Sequence, residues 1–311
     1  MRYRRLGKAG FDVSVVAVGT WAMGGQDFGR TDDRDSVKAI HRALDLGVTF
    51  FDTAPIYGVG RAEEVLGEAL TGIRKDVRIA TKCGPVEPRP GLLRMDYSPE
   101  GLVAQVDASL RRLRTDVIDL LQMHWPDPSW PVEDAVGAMA RLVQAGKVLA
   151  IGVSNMQPEE LRRAIAAGPV VSVQEAYSLL NRTFEKELLP ICRQNDLAVL
   201  AYEPLARGLL TGKFTPAWRF QPGDVRATDP RFQGEAFLEN LKAADRVASV
   251  ARMQGLPSSQ ASVAWVLARS GITTALCGAK TAAHAAENAR AGDLDPDPTL
   301  LADLERAAGI P

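Results

Sequence analysis

Residues 49–82 read TFFDTAPIYGVGRAEEVLGEALTGIRKDVRIATK. An apolar run ends at Asp52, a proline turn follows, apolar positions fall at helical spacing over 63–70, and a second apolar run occupies 77–81. That is one strand–helix–strand unit, and strands that are mostly continuous apolar runs belong to a parallel sheet covered on both faces. The beat continues outward. Upstream, 2–6 and 11–14 around Lys8-Ala9-Gly10 predict a short hairpin with Gly10 at its turn. A run over 15–18 ends in Gly19-Thr20, and Val37, Ile40 and Leu44 mark a helix before the strand at 49–52.

Downstream, Ser98 caps and Pro99 opens a helix whose apolar face is Leu102, Val106, Leu110 and Leu113. Strands are expected over 117–123, 148–153, 170–174, 198–202 and 274–277, with helices over 132–145, 158–167 and 184–195 between them. An open doubly wound sheet has the same local pattern, but eight such units in about 280 residues favour closure. The expected fold is α/β: a (β/α)8 TIM barrel with a short N-terminal hairpin, forming one domain over 1–311. Residues 207–238, punctuated by Gly208, Gly212, Pro216, Pro222, Gly223, Pro230 and Gly234, read as a long loop after strand seven, of a length that marks a functional lid or disorder. Residues 85–97 read as a smaller insertion after strand three.

The bulk numbers narrow the function classes. Lys+Arg of 37 against Asp+Glu of 38 leaves a formal charge of -1, and no segment concentrates one sign, so neither nucleic acid nor an anionic membrane is an expected partner. Cys83, Cys192 and Cys277 are far apart and lack metal-site spacing, which fits a reducing compartment. The basic N-terminus leads into no apolar leader and no run is long enough to span a membrane. A soluble, cytoplasmic protein is expected, with no metal; His41, His124 and His284 have no ligand spacing. Gly58-Val59-Gly60 begins like a dinucleotide fingerprint but lacks the third glycine, and Cys83 reads as a buried filler.

The strand ends carry the chemistry. The second expected strand ends at Asp52, the third at Lys82 and the fourth at His124, with Tyr57 on the loop after the second. Barrel closure brings these ends to one rim. A tyrosine ionises near 10, and an adjacent ammonium lowers that value. Lys82 is the expected neighbour, Asp52 the carboxylate that keeps it charged, and His124 a group that orients a polar substrate or relays a proton.

The motifs Gly19-Thr20-Trp21, Phe50 through Gly58, Ala80-Thr81-Lys82, Met123-His124-Trp125-Pro126-Asp127, Gly146-Lys147 through Asn155, and Leu205 through Lys213 resemble those of the aldo-keto reductase superfamily over almost the whole chain. They are similar to its bacterial general-stress and potassium-channel β-subunit branches. The resemblance implies a nicotinamide-dependent oxidoreductase that interconverts carbonyls and alcohols, with Asp52, Tyr57, Lys82 and His124 as catalytic tetrad and Tyr57 as general acid. It also implies that Gly19, Thr20, Trp21 and Asp52 border the cofactor, that Ser154, Asn155 and Gln174 hold the nicotinamide carboxamide, and that Tyr202 stacks on the ring. Pro204, Leu205, Arg207, Gly208 and Lys213 fall around the pyrophosphate, and Gly278, Lys280, His284, Glu287 and Asn288 around the adenosine end. Lys280 stands where the family places a cation against a 2′-phosphate, so NADP(H) is preferred and NAD(H) possible.

Four positions depart from the family pattern. Glu203 replaces a usual serine beside the pyrophosphate, where it must point away or pair with a base such as Arg207. Cys277 and Ala282 replace prolines, and His284 replaces Gln or Arg. Trp21, Met23, Ile56, Trp125 and Trp130 are expected to wall an apolar substrate pocket, although Trp130 reads equally as packing beside Pro131. The expected partner is a small carbonyl or alcohol, with no oligomeric state legible. The rival reading is a redox-sensing cofactor-binding subunit with incidental turnover. A barrel lyase or isomerase leaves Ser154, Asn155, Gln174 and Tyr202 without a role.

Overall fold

The computed structural model describes residues 1–87 and 91–309. Eight parallel strands close into a barrel: β1 Val16–Gly19, β2 Phe50–Asp52, β3 Arg78–Cys83, β4 Ile118–Met123, β5 Val148–Ser154, β6 Val170–Ala176, β7 Ala198–Tyr202 and β8 Ile272–Gly278. Neighbours in sequence are neighbours in space, and β8 returns to β1 with Leu276 opposite Ala17 and Gly278 opposite Gly19. The open-sheet alternative is thereby removed.

The first six crossovers each hold one helix: α1 Asp33–Asp45, α2 Arg61–Ala69, α3 Pro99–Leu113, α4 Val132–Gln144, α5 Pro158–Ala167 and α6 Phe184–Gln194. The cap at Ser98 forms as expected, its side chain accepting from the Gly101 N–H at 3.0 Å. The seventh crossover differs from expectation. Residues 207–238 are not one continuous loop: short 3-10 turns occupy Val225–Ala227 and Pro230–Phe232, and α7 Gly234–Met253 already begins inside the stretch. Asp224 and Asp229 cap those turns through the N–H groups of Arg226 and Arg231, so proline and glycine here punctuate turns rather than denote absence of structure.

After α7 comes α8 Ser258–Ala268, with almost every residue buried, then β8, α9 Ala282–Arg290 and α10 Pro298–Ala308. The insertion after β3 is a small antiparallel pairing of Pro85–Val86 with Arg94–Met95; the centre of that insertion lies outside the described residues. Among the described residues no helix is long and apolar enough to cross a membrane.

Strand periodicity positions the site. Side chains alternate across a strand, so Phe50, Ala80, Leu120 and Leu200 point into the barrel while Phe51, Ile79, Leu121 and Val199 face the helices. Two residues further along the same inward rows stand Asp52, Lys82, Gln122 and Tyr202. The lower barrel is apolar and is plugged by the N-terminal hairpin, Tyr3–Arg5 against Asp12–Ser14, whose Leu6 and Val13 join the same cluster. Burying each such side chain is worth about 1.5–3 kcal/mol. The upper barrel is polar.

Candidate active site

Lys82 is the hub of that polar layer. Its Nζ donates to Asp52 at 2.8 and 2.5 Å, to the Thr53 carbonyl at 2.8 Å and to the Tyr57 hydroxyl oxygen at 3.1 Å. Lys82 is 1 % exposed and Asp52 2 %, so the pair stands without water. Burial by itself would lower the Lys82 pKa, but Asp52 and then Tyr57 outweigh it and hold the ammonium above its ordinary value. Asp52 also accepts from the Gln174 side chain across the barrel at 2.8 Å, and Gln174 bonds Gln122 at 3.1 Å.

Tyr57 corrects the sequence expectation in one respect. Lys82 does act to lower its pKa, yet burial acts harder in the opposite direction, and the phenol lies above its ordinary value. The group is protonated at neutral pH. Its loop is shaped by three consecutive left-handed residues, Gly58, Val59 and Gly60, with φ of 64°, 54° and 92°. The backbone of Gly24 lies directly on it: a Cβ at Gly24 would stand 2.7 Å from the Gly58 nitrogen.

His124 completes the group. Its ring meets Tyr57 edge-on with centroids 6.0 Å apart and stacks on Trp125 at 3.8 Å. Burial first, and the nearby Lys82 charge second, push its pKa well below the ordinary imidazole value. The ring is neutral. Its Nδ1 is buried without a hydrogen-bond partner. A phenol with a buried ammonium on its oxygen and a neutral imidazole beside it can hand a proton to an oxygen placed among them.

The remaining expected residues form a band from β5 to α9. Asn155, at φ 59°, donates to the His124 carbonyl at 2.9 Å and accepts from the Tyr202 hydroxyl at 2.7 Å. Ser154 donates to the Gln174 carbonyl at 2.8 Å. After β7 the backbone turns left-handed at Glu203, Ala206, Arg207 and Gly208, with φ of 52°, 48°, 54° and 97°; successive turns of this kind aim N–H groups into a concavity suited to an anion. Glu203 does pair with Arg207, at 2.5 Å, and also with Arg231 at 2.8 Å, while Arg207 reaches Asp229 at 3.0 Å. The two added partners were not legible in the sequence.

Lys213, Arg226 and Lys280 are close enough that burial and one another's charge lower both lysine pKa values. Such a crowd of cations suits a phosphate. Lys280 donates meanwhile to the carbonyls of Phe28 and Gly29, at 2.5 and 3.2 Å, so it ties the loop after β1 to this band. His284 sits in the first turn of α9, Asn288 bonds the Gly278 carbonyl at 3.1 Å, and Glu287 accepts from Ser259. Leu205 packs against the outer core.

Of the expected pocket wall, Trp21, Ile56, Trp125 and Trp130 are partly exposed, and Trp21 stacks on Tyr57 with centroids 5.9 Å apart. Met23 is fully buried in the outer core and offers a pocket no surface, because the turn Trp21–Gly24 rotates it inward. Sequence reasoning missed Gln122, Arg226, Glu175 and Asp27. Gln122 alone had a signal, since it lies two residues before His124 on an inward row.

The profile of the Aldo/keto reductase family matches residues 15–307. The chain belongs to the aldo/keto reductase family. It is an NAD(P)H-dependent oxidoreductase, and the left-handed turns and three clustered cations are a donor set that fits an anionic dinucleotide. The reductase is 39% identical to aldo-keto reductase YhdN of Bacillus subtilis, across 90% of this chain and 85% of that protein. It is 34% identical to the NADH-specific methylglyoxal reductase of Escherichia coli, across 97% of this chain and 98% of that protein. The structure of glycerol dehydrogenase AKR11B4 from Gluconobacter oxydans superimposes with a TM-score of 0.90 at 35% identity, covering 98% of this chain and 94% of that one.

Proposed function

We propose that this reductase converts a small aldehyde or ketone to its alcohol with NADPH as preferred cofactor, and that Tyr57 donates the proton. The observation that carries this reading is the single ammonium of Lys82 bridging Asp52, the Thr53 carbonyl and the Tyr57 oxygen. Because the phenol oxygen accepts from Lys82, its own O–H is free to point elsewhere. The raised pKa keeps that proton in place until a carbonyl oxygen gathers negative charge beside it. Lys82 then stabilises the phenolate left behind, and Asp52 keeps the ammonium charged in a site that water does not screen. Neutral His124 would donate a ring N–H to the same carbonyl oxygen and fix its direction.

A bound nicotinamide cofactor would supply the hydride for the carbonyl carbon. Ser154, Asn155, Gln174 and Tyr202 would hold its nicotinamide end beside Tyr57, with Gly19, Thr20 and Trp21 along the edge. Pro204, Leu205, Arg207, Gly208 and Lys213 would hold the pyrophosphate. Gly278, Lys280, His284, Glu287 and Asn288 would hold the adenosine end. The cation crowd supports NADPH over NADH: Arg226 is already paired with Asp224, but Lys213 and Lys280 join no ion pair among the described residues, and a 2′-phosphate would supply the charge they lack. Relatives named for methylglyoxal and glycerol support a small polar carbonyl as substrate.

Tyr57→Phe tests the assignment. Titration of either cofactor by tryptophan quenching is expected to leave the NADPH dissociation constant of the variant near wild type and several-fold below that for NADH. Turnover of an aldehyde is expected to fall by about 10²–10⁴. Near-wild-type turnover in the variant refutes the role of Tyr57, and equal affinity for both cofactors refutes the NADPH preference.

A further inference from the structure

Asp27 is a carboxylate at the mouth of the site that the proton-transfer group does not use. It lies on the loop after β1, partly exposed, and its Oδ2 accepts from the Trp21 indole N–H at 2.6 Å. The same indole stacks on Tyr57 at 5.9 Å and meets Phe28 edge-on at 4.8 Å. Its position is held from both ends: the Val225 N–H donates to the Asp27 carbonyl at 2.8 Å, and Lys280 holds the next two carbonyls.

Asp27 joins no ion pair among the described residues. The nearby bases are committed elsewhere. Arg207 lies over the Trp21 ring at 5.2 Å but pairs with Glu203 and Asp229. Arg226 lies over Phe28 at 5.1 Å and pairs with Asp224. Lys82 is spent on Asp52. The negative charge of Asp27 therefore reaches the space over Tyr57 with no cation paired to it among the described residues, and it is among the charges that hold the Tyr57 proton in place.

From this arrangement we infer that Asp27 determines specificity: it accepts a hydrogen bond from a hydroxyl near the substrate carbonyl and repels substrates that carry a carboxylate or phosphate there. The inference rests on the proposed carbonyl reduction and names its substrate class, uncharged hydroxylated aldehydes or ketones. A carboxylate entering beside Asp27 meets a like charge in a partly desolvated mouth, where Coulomb repulsion is several times stronger than in bulk water. A hydroxyl meets a free carboxylate oxygen, and a charged acceptor forms the stronger kind of hydrogen bond.

The test uses two pairs of aldehydes matched in chain length, butanal with 4-oxobutanoate and propanal with glyceraldehyde, each assayed with NADPH. Wild type is expected to prefer butanal over 4-oxobutanoate and glyceraldehyde over propanal in kcat/KM. Asp27→Asn keeps an acceptor for the Trp21 indole and removes only the charge; it is expected to raise the 4-oxobutanoate to butanal ratio about tenfold. Added salt is expected to raise that ratio in wild type and leave it unchanged in the variant, since screening acts only on the charge. Asp27→Ala, which also removes the acceptor, is expected to lower the glyceraldehyde to propanal ratio about tenfold. Ratios in Asp27→Asn within twofold of wild type, with all four aldehydes turned over, overturn the role of Asp27 and leave the parent reading standing. Absence of turnover of all four aldehydes by wild type overturns both.

Discussion

Replacing Glu175 by glutamine is expected to make the stability of this fold less sensitive to pH, by an amount that follows from the surroundings of that carboxyl. Glu175 stands on β6 beside Gln174, and its Oε1 accepts from the Met156 N–H at 2.8 Å. It therefore braces the turn that carries Asn155. Burial pushes the carboxyl from an ordinary 4.5 up to about 7, with the N–H groups of Met156 and Asn155 offsetting only part of the effect. The unfolded chain releases this proton near 4.5, whereas the folded chain keeps it to about 7. Stability contributed by the group is thus intact below the lower value, falls as pH rises through the window, and stays reduced above it.

At about 1.4 kcal/mol per pH unit the full loss across that window is on the order of 3.5 kcal/mol, most of it above pH 5. Glutamine preserves the acceptor for Met156 and adds an NH2 group whose burial costs about 1–3 kcal/mol at every pH. The variant is therefore expected to be the less stable protein at pH 5 and to gain on wild type by on the order of 2–3 kcal/mol by pH 8. Urea unfolding followed by tryptophan fluorescence at pH 5, 6, 7 and 8 measures the difference. Two stability curves that run parallel across that range would refute the claim that burial governs the Glu175 proton.

Two further outcomes follow from the same geometry. Because burial and Lys82 keep His124 neutral, kcat/KM for carbonyl reduction is expected to show no acid limb near the ordinary imidazole value of about 6.5; a limb there that disappears in His124→Gln would contradict this. Gly24→Ala places a Cβ against the backbone of Tyr57 and Gly58. It is expected to cost about 1–3 kcal/mol of stability and to lower kcat more than it weakens cofactor binding, as steady-state kinetics and fluorescence titration would show; unchanged kcat would mean the Tyr57 loop is not held by this contact.

How much was legible in advance varies along the chain for physical reasons. The first six strand–helix units were readable because each helix lies on the barrel with one apolar face, and each strand is apolar on both sides. α8 was not, since it is buried on nearly every side and carries no stripe for periodicity to detect. The seventh crossover was overestimated as loop because Asp224 and Asp229 convert proline- and glycine-rich sequence into capped turns, a use of side chains that composition does not reveal.

For the site, the sequence by itself placed Asp52, Lys82 and His124 at the ends of successive apolar runs and Tyr57 on the loop after the first of them, and barrel closure is enough to bring these ends to one rim. It also supplied the family motifs that cover most of the chain. Only the tertiary structure decided the balance of charge. Lys82 being shared among three acceptors, Tyr57 retaining its proton against the pull of Lys82, Glu203 being neutralised by Arg207 and Arg231, and Asp27 being left without a partner all depend on distances between residues remote in sequence and on the depth at which each is buried. Desolvation and Coulomb interaction vary with those two quantities, and the order of residues along a chain specifies neither.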